Sequence, residues 1–188
     1  MGGSMLFLAQ LLALAALIAL GLAVVIVVRR AARLINETRE TERFRRRVAD
    51  LSARMEASLE GVATRIDGVR RQSLPAESIV PNLEAASDAV ARYSEEAKAL
   101  RGPAGATEIR EAILLELDRA ARALQMVEHG CAILASARVG GRELEAQTAI
   151  KRGYLNVLHA REALARHAVK AAEVKESEEA RFFARRNA

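Results

Sequence analysis

The chain is poor in aromatic residues, with no Trp, two Tyr and four Phe among 188 residues. So few rings offer little surface for stacking nucleic-acid bases. A single cysteine, Cys131, permits no internal disulfide and no metal-ligand spacing, and it fits a reducing compartment. Prolines number only three, and no stretch alternates with period two, so no strand is expected. The heavy use of Arg, Ala and Leu points to a bacterial source with a GC-rich genome.

What is present is organised around Met5 to Val28, an uncharged run whose one strongly polar residue is Gln10. As a helix it would be roughly 36 Å long, against a hydrocarbon core of about 30 Å. The reading is a single-pass transmembrane anchor over 1–28, followed by a cytoplasmic helical domain over 29–188. Arg29, Arg30, Arg33, Arg39, Arg43, Arg45, Arg46 and Arg47 crowd its exit, offset by Glu37, Glu40 and Glu42, whereas Met1 to Ser4 carry no charged side chain. The positive-inside rule then places the N-terminus outside and the rest in the cytoplasm, in a bacterial inner membrane. A cleaved signal peptide fits less well, because its positive charge should precede a shorter apolar run.

Beyond the anchor, four helical segments are expected: 29–73, 76–100, 107–138 and 142–186. The seam of the first is Val48, Leu51, Met55, Leu59, Val62, Ile66 and Val69, at steps of three and four. Gly61 and Gly68 weaken it by about 1 kcal/mol each relative to Ala. Ser73, Leu74 and Pro75 end it. The second segment has Leu83, Ala86, Val90, Tyr93, Ala97 and Leu100. The third, with Thr107 as expected N-cap, has Ile109, Ile113, Leu117, Ala120, Leu124, Val127, Cys131 and Leu134, and Val139-Gly140-Gly141 stops it. The fourth has Ile150, Tyr154, Val157, Leu164, Ala168 and Ala171, interrupted by Arg161. The fold class is therefore all-α, an anchor followed by an antiparallel up-down bundle of about four helices.

Alternating segments of roughly 67, 37, 48 and 68 Å return the C-terminus toward the bilayer. Arg181, Phe182, Phe183, Arg185 and Arg186 would then form an amphipathic foot in an anionic leaflet. Alternatively, the two Phe pack on the first helix. Arg29, Arg30 and Arg33 are close enough to touch lipid headgroups. Arg43, Arg46 and Arg47 lie about 20 Å or more along the axis, beyond a Debye length of about 8 Å, and call for a partner surface. Ala15, Ala19 and Ala23 share one face at a spacing that lets membrane helices approach, which makes a homo-oligomer an expectation.

No chemistry-bearing constellation emerges. His129, His159 and His167 stand in no metal-binding pattern. Cys131 sits on an apolar stripe, as a buried core residue does. Gly140-Gly141 follows a helix, which is cap position and not a phosphate loop. No enzyme, cofactor, metal or small-molecule substrate is expected. Arg70-Arg71 followed by Ile79, Val80, Pro81, Asn82, Leu83 and Glu84 is loosely similar to the LemA family of membrane-anchored helical proteins. The spacing between the two parts departs from that family's pattern, and Lys151 to His159 matches no familiar motif, so no property is carried over.

The leading functional expectation is a non-catalytic, membrane-anchored scaffold binding a protein partner through Lys151–His167 or Arg43–Arg47. A signalling relay through a continuous membrane-to-cytoplasm helix is the second, although only four residues face outside. Tethered nucleic-acid binding is the third and weakest.

Overall fold

The computed structural model describes residues 2–103, 105–136 and 141–174, with the side chains of residues 2–16, 18, 19, 34 and 37 outside that description. The elements are α1 (Gly2–Arg70), a 3-10 turn (Ala76–Ile79), α2 (Val80–Lys98), α3 (Ala106–Ala135) and α4 (Glu143–Ala172). Every regular element among the described residues is helical. The chain divides into two compact units. One includes α1 up to Glu40; the other, Thr41–Lys175, carries the core.

In the second unit, all seven expected seam residues of α1 are buried, from Val48 to Val69, and Phe44 joins them. They meet Leu83 and Val90 of α2, Ile113, Leu117, Leu124 and Val127 of α3, and Ile150, Val157 and Leu164 of α4 in one apolar cluster. Burying a side chain of this size contributes about 1.5–3 kcal/mol. Neighbouring helices run antiparallel. Arg54 and Ser58 of α1 pair with Glu96 and Tyr93 of α2. Gly130 and Gly153 fix the opposed directions of α3 and α4. Arg45 and Arg70 of α1 reach Val174, just past α4, and Tyr154 of α4 respectively.

Several expected boundaries are corrected. The first segment ends at Arg70, not 73, and neither Gly61 nor Gly68 breaks it. Its stop is a Schellman cap. Gln72 takes φ 59, its amide donates to the Val69 carbonyl, and the Ser73 amide reaches back to the Gly68 carbonyl at 2.9 Å. Leu74 then folds over Gly68, where a Cβ would lie 2.6 Å from its Cδ1. Thr107 is not an N-cap. α3 starts at Ala106, because that methyl is drawn into the core at 4% exposure and its amide donates to the Pro103 carbonyl at 2.8 Å. α3 ends at Ala135, ahead of Val139-Gly140-Gly141, with the Ser136 hydroxyl donating to the Ile133 carbonyl. α4 ends at Ala172, and the expected extension to 186 fails at once, since Glu173 is a turn and Val174 is not helical. Residues 137–140 and 175–188 lie outside the description, and with them the Arg181–Arg186 foot.

Candidate functional site

The first described stretch of α1 is apolar on every side. Leu17, Leu20, Leu22, Val24, Val25, Ile26, Val27 and Val28 are all exposed, from 48 to 66%. Successive residues of a helix step by about 100°, so the consecutive run Val24–Val28 by itself surrounds the axis. Arg29, Arg30 and Arg33 follow and are exposed. Among the described residues, no helix is long and apolar enough to cross a membrane. The front of Met5–Val28 falls where side chains are not described.

Arg43, Arg46 and Arg47 are exposed on the second unit, as the topology of an amphipathic helix requires. Their neighbour Arg45 differs. It is half-buried, and its guanidinium bonds Glu42 and the Val174 carbonyl. Arg161, which interrupts the α4 seam, has no ion pair among the described residues. It lines a groove of about 240 Å³ between α1 and α4 with Ala49, Ser52, Ala53 and Leu164. Arg161 is half-buried there.

A polar cross-link that the sequence does not reveal joins α1 to α2. Arg54 contacts both carboxylate oxygens of Glu96, at 3.1 and 2.5 Å, and lies over the Tyr93 ring at 5.6 Å. The Tyr93 hydroxyl meets Ser58 Oγ at 2.9 Å. The hydrogen bond from Arg54 holds the Glu96 carboxyl below its usual range, against a smaller opposing effect of burial.

Cys131 is 1% exposed, and burial, with Glu128 nearby, pushes its thiol up to about 11. It is therefore a protonated thiol at neutral pH, the wrong state for a nucleophile. His129 and His159 are exposed, and His129 Nε2 is 3.9 Å from a Glu145 oxygen that Arg142 also engages. The half-buried His167 is lowered, first by burial and then by Lys170. Among the described residues, no group of three His, Cys, Asp or Glu side chains could hold a metal ion.

A concavity of about 840 Å³ lies beside the α1 stop and is lined by Arg70, Ser73, Leu74, Glu77, Gln147 and Lys151, among others. Its charges are mixed and its mouth is open. Along the outer side of α1, Ala49, Ala53, Ala57 and Gly61 are exposed at every fourth position. These positions lie on the side of α1 away from the Val48–Val69 seam. No family model matches the chain, and no curated protein or solved structure matches it either.

Proposed function

We propose that the chain is a membrane-tethered helical interaction module. Met5–Val28 is the single-pass anchor, and the bundle is a non-catalytic docking body on the cytoplasmic side. The observation that carries this reading is the uniform exposure of Leu17, Leu20, Leu22 and Val24–Val28. Fully solvated, eight such side chains gain nothing from helix formation by burial. In hydrocarbon each is favourable, and a helix satisfies its own backbone there. Arg29, Arg30 and Arg33 suit the anionic headgroup layer, each worth about 1 kcal/mol near the surface. Arg43, Arg46 and Arg47 serve a partner rather than lipid.

Alkaline carbonate extraction of cell membranes tests the reading. The protein is expected to stay in the membrane pellet, and replacing Leu20, Leu22, Val25 and Ile26 together by Ser is expected to release it. Release of the unaltered protein overturns the proposal.

A further inference from the structure

The outward faces of α2 and α4 carry one charge pattern with opposite signs. On α2, Glu84, Asp88, Arg92 and Glu95 are exposed on the side away from the buried Leu83 and Val90. On α4, Arg152, His159, Glu162 and Arg166 are exposed on the side away from the buried Val157 and Leu164. In chain direction α2 therefore reads acid, acid, base, acid, and α4 reads base, histidine, acid, base. Glu84, Asp88, Arg92 and Arg152 have no ion pair among the described residues. Glu95 and Arg166 hold exposed contacts on their own helices, to Lys98 at 2.7 Å and Glu162 at 3.9 Å, and such pairs are weak. Leu155 stands among the α4 charges at 43% exposure. Ala85 stands among the α2 charges, at a groove of about 300 Å³ that Ala57 and Ala89 also line.

The two patterns match when the helices run parallel with Leu155 level with Ala85. Glu162 is then level with Arg92. Arg152, His159 and Arg166 stand within about 3 Å of the heights of Glu84, Asp88 and Glu95. A slip of one turn sets Glu162 beside Asp88 in one direction and beside Glu96 in the other, so like charges oppose it. Heights within the bundle agree with this register. Ser58 of α1 bonds Tyr93 of α2, and Arg70 of α1 lies over the Tyr154 ring of α4. Counted along the antiparallel helices from those contacts, Ala85 is level with Ile66 and Leu155 with Val69, about 5 Å apart. Both faces point outward, so the contact cannot form within one chain.

We propose that α4 of one copy packs on α2 of a second copy of the same chain, both bundles pointing the same way, with Leu155 on Ala85. Arg152 then meets Glu84, His159 meets Asp88, Glu162 meets Arg92 and Arg166 meets Glu95. The Leu155 side chain enters the groove beside Ala85. Neighbours shift by only about 5 Å along their axes. Their Thr41 ends stay on the same side, as two anchors in one bilayer require. The contact joins two different faces, so each copy can bind one neighbour through α2 and another through α4. A ring or a row results rather than a closed dimer. This names the partner of the docking body proposed above and rests on that reading. Carbonate extraction reports the anchor alone, and the variants below report the contact alone.

Sedimentation equilibrium of the full chain in detergent, with Arg152→Glu, Glu84→Arg and the double exchange, tests the contact. The unaltered chain is expected to pass beyond the dimer as concentration rises. Each single reversal is expected to weaken association several-fold, and the double exchange, or a mixture of the two singles, to restore it. Both positions are exposed, and an unchanged helical circular dichroism spectrum checks the fold. A monomer at every concentration, an assembly that stops at the dimer, single reversals without effect, or a double exchange as weak as the singles overturns the proposal. Disulfide trapping gives a second readout. Leu155→Cys and Ala85→Cys are expected to cross-link when mixed and not singly, and a chain carrying both is expected to give a ladder. Self-cross-links of either single variant, or products with other proteins alone, overturn it.

Discussion

Gly153 of α4 sits against the backbone of α3. A Cβ added there would lie 2.5 Å from Val127 Cγ2 and 2.8 Å from the Ala123 carbonyl oxygen. Gly130 returns the arrangement from α3, with Ile150 and the Ala146 carbonyl as close. Small residues at the crossing let the two helices approach at backbone range. Replacing Gly153 by Ala gains about 1 kcal/mol in helix propensity but forces atoms into a filled space, at about 1–3 kcal/mol. A net loss of stability is expected, read as a lower urea midpoint. Gly61→Ala, with open space around the new methyl, is expected to shift the midpoint the other way.

Gln72 is the one described non-glycine residue with positive φ, at 59°. That conformation costs an L side chain about 1–2 kcal/mol, and glycine is the usual occupant of the position after a helix that it fills. Gln72→Gly is expected to stabilise the bundle by about 1 kcal/mol, measured as a higher thermal midpoint.

Arg54 and Glu96 bridge α1 and α2 at the surface, so Arg54→Ala is expected to cost less than about 1 kcal/mol at neutral pH. The sign of its pH dependence is definite. Arg54 depresses the Glu96 pKa below 4.5, so the stabilisation is complete above that value and disappears as pH falls through the folded pKa. The difference in stability between the parent and the variant should stay constant above about pH 5 and vanish in acid. A constant difference down to full protonation counts against the ion pair.

Leu124 is fully buried at the centre of α3. Leu124→Ala is expected to cost about 2–5 kcal/mol through lost transfer energy and the cavity left behind. Denaturant titration measures it.

Cys131 gives a probe that needs no mutation. With the thiol buried and pushed up to about 11, it should resist a thiol reagent at pH 8 in the folded protein. In denaturant it should react at once.

Much of the fold was legible because apolar spacing is a direct record of which side of a helix is dry. Val48 to Val69 and Ile113 to Cys131 were readable for that reason, as was the number of helices. Caps were read less well. Thr107 carries a capping side chain, yet burial of Ala106 moved the helix start by one residue. Gln72 stops α1 in a conformation its identity does not advertise. Contacts between helices were beyond reach, since Arg54–Glu96 and Gly130–Ala146 depend on the relative register of two rods.

Arg45 donates to the Val174 carbonyl, joining the first turn of the bundle to its last described residue. Entry and exit of this unit are therefore next-door neighbours. Tension between those two points pulls α1 and α4 apart from one end, breaking contacts singly in the manner of a zip. The four-helix unit should yield at low force and re-close readily when the load is removed.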